Sequence, residues 1–379
     1  MTILEITEPV DLERESIAPM PRPAGRGACS AGVLQMLEGN PDAATPPDLE
    51  FLAAGEHPID VLTDDDLQLT LTTLYELHYR GIEGVDDRWE WHPAALRVRA
   101  TLEVALERAL RQMVAQHPIS RFLPQMAPPS SRPVVDDRAV MDALEAMTAP
   151  THKPGLAAYL ARRANLDHYR EFLIHRSVYQ LKEADPHTLG IPRLSGKAKA
   201  ALVEIQSDEY GGGRPEWVHA HLFARSMAAL GLRSRYGYYL DQVPAIVLAA
   251  ANSMSLFGLH RRLRGALVGH LAAFEMTSTL PNRQYAQGLR RLGQSEDATL
   301  YFDEHVEADA VHEQIALRDL AGALARQEPH LGPDIILGAA TVMTLDDLVG
   351  EHLLSSWDRG RSSLRNPDRS PAIHERTDA

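Results

Sequence analysis

His305, Asp309 and His312 lie four and three residues apart in "YFDEHVEADAVHEQ", residues 301–314. On an α-helix, at 100° per residue, the three positions fall within about 60° of one another, so two imidazoles and a carboxylate can converge on one point. Imidazole and carboxylate together suit divalent iron, manganese or zinc. Taken alone, such a triplet is more often a solvated face. Glu304, Glu307 and Glu313 can cover the wet side while Tyr301, Val306 and Ile315 supply apolar contacts.

Two further stretches carry the same residue types. Glu275 ends the apolar run "GALVGHLAAFE", where a carboxylate is costly unless it is paired or coordinated. A cap or an ion pair with Arg261 or Arg283 would also satisfy it. In "EIQSDEYGGGRPEWVHAHLF", Glu209 closes one helical stretch, three glycines permit a sharp turn, and His219 and His221 open the next. Residues two apart cannot share a helical face, so at most one of these histidines points inward, and local pattern does not choose between them. Four helices bearing these groups could surround two cations, with carboxylates bridging the ions and cancelling their charge. Iron in such a site can reduce dioxygen, zinc has no redox chemistry to offer, and manganese is the rival metal.

The elements that must position these groups read as helices throughout. The expected segments are 63–81, 93–114, 136–147, 151–185, 195–210, 215–231, 241–259, 261–277, 281–292, 295–327 and 335–354, with no sustained strand alternation. Thr63 is the expected cap of the first, and Gly81 its terminator. The apolar stretch "ACSAGVLQMLEG" adds one helix to an otherwise loose arm. Prolines in "HPISRFLPQMAPPSSRPVVDD" interrupt the pattern, and the domain boundary is placed there. The division is 1–135, an N-terminal arm and helical extension; 136–362, the main helical domain; and 363–379, a disordered polar tail.

Chain-wide properties narrow the function. The 379 residues carry a net charge of −14, which argues against nucleic acid or an anionic membrane as partner. Cys29 is the single cysteine, so thiolate-rich metal sites and intrachain disulfides are excluded. The acidic start "MTILEITEPVDLERES" does not read as a secretory signal, and Ile246–Ala251 is too short to span a bilayer, so a soluble cytoplasmic protein is expected.

Over roughly residues 140–360 the chain resembles the haem-oxygenase-like diiron oxidases and oxygenases, the iron-containing redox enzyme family. The resemblance rests on "LKEADPHTLGIPRLSG", "EIQSDEYGGGRPEWVHAHLF", "FEMTSTL" with "NRQYAQGLRRLG", and "YFDEHVEADAVHEQ", in that order. It implies an all-α, haem-oxygenase-like bundle with a smaller helical extension that supports a homodimer. The ligands it implies are Glu183, Glu209, His219, Glu275, His305, Asp309 and His312, with His219 preferred to His221 by its separation from Glu209. Glu183 enters through the resemblance alone, since its local context is that of a surface glutamate.

The resemblance further implies two iron ions per chain, dioxygen as co-substrate and an external electron donor. Glu209, His305, Asp309 and His312 are the expected catalytic core, with Glu209 bridging. Tyr210, Tyr301, Arg290 and Arg291 are candidates for orienting groups, although ordinary packing or surface roles suit each individually. The expected activity is oxygenation of a small amine or amino-acid-like metabolite. Alternatives are desaturation, oxidative carbon–carbon cleavage, haem binding through one axial histidine, and a non-enzymatic helical metal-binding or interaction protein.

Overall fold

Helical periodicity in the sequence becomes helix in three dimensions across the computed structural model, which describes residues 18–43, 60–123, 134–150 and 155–366, apart from the side chains at 308–310. Among these residues the one β feature is an isolated parallel bridge between Met20 and Ile82. The fold is all-α.

The N-terminal part contributes α1 (Ala28–Glu38), α2 (Asp65–Glu76) and α3 (Pro93–Gln116). Asp64, one residue beyond the expected Thr63, caps α2 by accepting from Leu67 N at 2.8 Å. Asp66 of the same acidic run reaches across to accept from Cys29 N and Ser30 N, at 2.9 and 2.7 Å, and so caps α1 as well. In α3, Pro93 sits in the first turn and Val98, Leu102, Leu106, Leu110 and Val114 repeat at four-residue spacing on the buried face.

The rest is a bundle of α4 (Asp137–Thr148), α5 (Leu156–Arg162), α6 (Leu166–Gln180), α7 (Gly196–Glu209), α8 (His219–Ala229), α9 (Ala245–Leu259), α10 (Arg264–Thr277), α11 (Thr279–Arg291), α12 (Glu296–Gln314) and α13 (Gly332–Asp358). Two expected continuous helices are interrupted. The segment 151–185 breaks where Asn165 caps α6 by accepting from His168 N at 2.9 Å, and breaks again after Gln180. The segment 295–327 continues past α12 as a π-helix, Ile315–Gly322, before returning to α-helix at Ala323–Gln327.

Close packing of α10 on α13 builds the centre of the bundle. A Cβ at Gly269 would overlap the Ile335 carbonyl, and one at Gly338 the Ala266 carbonyl, so glycine at both positions lets the two backbones approach. α12 lies against α8 and α11, and the π-helix lies against α7.

Leu69, Leu71 and Leu74 of α2 share one buried cluster with Phe172, Leu248 and Leu256, while Val114 and Ile119 join Val140, Leu144 and Ile335 in another. The core is therefore common to both sides of the expected division at 135/136. Residues 363–366, expected in a disordered tail, pack instead: Ser363 and Leu364 are buried and Arg365 Nε lies 2.6 Å from Asp65. The remainder of that tail, 367–379, falls outside the described residues. Among the described residues no helix is long and apolar enough to cross a membrane.

Candidate metal centre

α7 ends at Glu209 and runs into Gly211, Gly212 and Gly213, all with left-handed φ of 69°, 59° and 81°. A Cβ on Gly211 would also come within 2.7 Å of the Trp217 carbonyl carbon. The glycine turn reverses the chain within a few residues and starts α8 at His219, whose Nδ1 lies 3.0 Å from Glu209 Oε2. His219 is buried.

Six of the seven residues named from the sequence stand together. Single ligand atoms of Glu183, Glu209, His219 and His305 lie within 4.8 Å of one another, and the same holds for Glu209, Glu275 and His312. Glu209 belongs to both groups. The side chain of the seventh, Asp309, lies outside the described part, although its backbone is helical between His305 and His312.

Hydrogen bonds fix which imidazole nitrogens face the cluster. His305 Nδ1 is 2.8 Å from the Tyr301 carbonyl, which can only accept, so Nδ1 carries a proton and Nε2, 3.6 Å from Glu183 Oε1, is the nitrogen turned to the cluster. His312 Nε2 is 2.9 Å from Asp208 Oδ2, and its Nδ1 is 3.3 Å from Glu275 Oε2. Tyr301 donates its hydroxyl to Glu183 at 2.7 Å. Each potential ligand is thus held by a partner outside the cluster or by another ligand.

Charge balance tests whether a cation fits. Burial raises the Glu209 carboxyl, but His219, His305 and His312 outweigh it and hold the group down to about 2. Burial lowers His312, while Glu275 and Asp208 more than offset it and lift the imidazole to about 9. His219 is likewise raised, by Glu209 against its own burial. Protons on these imidazoles supply the positive charge that the buried carboxylates require. Glu183 Oε2 is nevertheless buried without a hydrogen bond, and Glu209 Oε2 and His219 Nδ1 have only each other at 3.0 Å, an arrangement that cations at the two groups would relieve. The donor set of carboxylates and imidazoles, with no thiolate, fits iron or manganese.

A cavity of about 100 Å³ adjoins the cluster, walled by Glu183, Glu209, Glu275 and His305 and by the rings of Tyr179 and Phe274. The other polar candidates separate by position. Tyr301 reaches Glu183, but Tyr210 donates to Asp185 at 2.9 Å, Arg290 pairs with Asp303 at 2.6 Å, and Arg291 donates to the Ala161 carbonyl at 2.9 Å. Glu275 faces His312, in place of the alternative partners Arg261 and Arg283. Sequence reasoning missed Asp208, whose signal was its place one residue before Glu209, and Tyr179, which reads as ordinary core.

Comparison with known proteins agrees with this geometry. The chain is 26% identical over 203 residues to a nitrosourea synthase of Streptomyces achromogenes subsp. streptozoticus; the aligned part covers 53% of this chain and 43% of that protein, so under half of the relative's length is represented. The Glu183-to-His312 constellation falls inside residues 170–347, and over those residues the chain matches the family described as iron-containing redox enzyme.

Proposed function

We propose that the protein is a non-haem diiron oxidoreductase that uses dioxygen to oxygenate a small amine or amino-acid-like metabolite. The observation that carries this reading is the sharing of Glu209 between two ligand groups in the bundle interior. Glu183, His219 and His305 would hold one ion, Glu275 and His312 the other, with Glu209 bridging and Asp309 completing the set. Ferrous iron held there would supply the electrons that reduce dioxygen.

The residues of the chain do the remaining work. Tyr301 and the Tyr301 carbonyl orient Glu183 and His305, and Asp208 orients His312. Tyr179 and Phe274 line the cavity together with Glu183, Glu209, Glu275 and His305 and give it an apolar side on which a substrate would rest. An external donor supplies the further electrons that turnover draws. Nitrogen is favoured as the oxidised atom because the relative above is named for making a nitrosourea. The shielding of Glu183 and Glu209 from solvent counts against a surface-charged interaction protein.

Anaerobic reconstitution with ferrous iron should load two ions per chain, and admission of oxygen should then consume it. Incubation with candidate amines should yield a product heavier by oxygen. Loss of two hydrogens or of a carbon fragment would instead establish desaturation or carbon–carbon cleavage, and absence of oxygen uptake by the loaded protein would refute the oxidoreductase reading.

A further inference from the structure

The metal-side cavity has a charged part that the ligand set does not use. Arg176 of α6 and Asp346 of α13 line the same space as Glu183, Glu209 and Glu275. Exposure grades along it: Glu209 and Glu275 are buried, Arg176 is 25% exposed at its side chain and Asp346 62%. The metal ligands therefore stand at the inner end, and the Arg176–Asp346 pair stands where the cavity meets solvent.

Neither charge closes off the other. Arg176 Nη2 lies 3.6 Å from Asp346 Oδ1, an ion pair too long for a hydrogen bond. The guanidinium carbon stands 5.4 Å over the Phe172 ring, and the Tyr285 hydroxyl is a further neighbour. Burial lowers the guanidinium, but Asp346, Tyr285, Tyr301 and Glu183 outweigh it, so the group stays charged beside the cavity. A guanidinium presents five N–H donors in a planar fork that meets a carboxylate with two parallel bonds. An Arg–Asp pair that serves only to tie two helices would use that fork, and this pair does not close it. Charge counting then gives the complement of the site. Two divalent ions would cancel the carboxylates of the inner end, which leaves one cation and one anion near the mouth. A carboxylate alone would set a second anion against Asp346, and an ammonium alone a second cation against Arg176. A group bearing both charges matches the pair.

We propose that Arg176 and Asp346 form a head-group site for a zwitterion of the α-amino-acid type, in which the carboxylate accepts from Arg176 and the ammonium donates to Asp346. The identification of that zwitterion as substrate rests on the oxidoreductase reading; the charge preference of the site does not. With its head held near the mouth, the rest of the molecule extends toward Glu183 and Glu209. Arg176 and Asp346 select and orient, and neither holds metal.

Norvaline, pentanoate and butylamine share one hydrocarbon chain and carry both charges, the carboxylate alone and the ammonium alone. They test the assignment by calorimetric titration of the full chain, metal-free and anaerobically loaded with ferrous iron. Norvaline should bind about tenfold or more tightly than either analogue in both states, the effect of one further charged hydrogen bond. Arg176→Gln should weaken norvaline by about 10- to 100-fold without weakening butylamine. Asp346→Asn should weaken norvaline by about three- to fivefold, the smaller effect of an exposed partner, without weakening pentanoate. Because Asp346 is exposed, this second variant keeps the test open if Arg176→Gln fails to fold. Equal binding of the three probes, or norvaline affinity unchanged in the folded variants, as direct chelation by iron would give, overturns the proposal. A chain that prefers norvaline in this residue-dependent way but fails to bind two irons refutes the function proposed above and leaves the head-group site standing; a chain that loads two irons and consumes oxygen without the preference refutes the head-group site alone.

Discussion

The two halves of the candidate centre are held in different ways. The half made by Glu183, His219 and His305 is braced from behind. Tyr301 fixes both Glu183 and His305, and the chain immediately before Glu183 is locked to the N-terminal extension. There Lys182 Nζ lies 3.2 Å from Glu76, Tyr236 donates to the same carboxylate at 2.7 Å, the ammonium stands 3.9 Å over the Tyr79 ring, and Arg80 donates to the Leu181 carbonyl at 2.7 Å. The half made by Glu275 and His312 is supported from a different direction. His312 sits two residues before the end of α12, where the chain passes into a π-helix, and its outer nitrogen is held by Asp208, whose side chain is 58% exposed. Local departures of this kind interrupt the regular helical bond pattern and recur at functional sites. One half is braced against the N-terminal extension, and the other borders a departure from regular α-helix.

Breaking the brace should have the largest effect. Glu76→Gln removes the partner of a buried ammonium, since Glu76 is fully buried and Lys182 is 6% exposed. Urea denaturation of the metal-free protein should show about 3–5 kcal/mol less stability, with metal at the Glu183 half lost before metal at the other. A change below about 1 kcal/mol would mean that the extension does not brace the site.

Asp208→Asn tests the other half. With an exposed side chain, it should alter unfolding free energy by no more than about 0.5 kcal/mol, yet weaken one of two ferrous binding events by about 10- to 100-fold. Equal weakening of both events would erase the distinction between the halves.

The pH dependence sharpens the same contrast by a smaller margin. His312 is raised from 6.5 to about 9, so its contribution to the metal-free fold is complete below pH 6.5 and is lost as pH rises through 9. Metal must displace that proton, so ferrous affinity at the Glu275 half should climb between those values. Glu209 is lowered from 4.5 to about 2, so its contribution is present above pH 4.5 and disappears as pH falls toward 2. Calorimetric titration at several pH values, with proton release measured in buffers of different ionisation enthalpy, checks both signs.

The helical architecture was legible because apolar spacing and glycine or proline punctuation agree along most of the chain. Glu275 and the 305–312 stretch stood out as candidates because carboxylate and imidazole types are unusual in apolar helices, whereas Glu183 and the choice of His219 over His221 came only with the family resemblance. What escaped notice depends on distant partners. Glu76 and Lys182 lie 106 residues apart and read as surface charges until α2 is seen against the bundle. The π-helix is hidden because "IALRDLAG" has the composition of any amphipathic turn. The cap shifted from Thr63 to Asp64 because either residue type can cap, and the register was settled by Asp66 reaching α1. Ser363 sits in a polar, proline-interrupted stretch, and only contact with Glu171 and His175 gives it a place in the core.

Anaerobic ferrous titration of the wild-type chain and of Glu209→Ala, read by Mössbauer spectroscopy, addresses the shared carboxylate directly. The account predicts two coupled irons per wild-type chain and loss of both tight sites in the variant. A wild-type chain that binds one iron, or a variant that keeps a coupled pair, would contradict it.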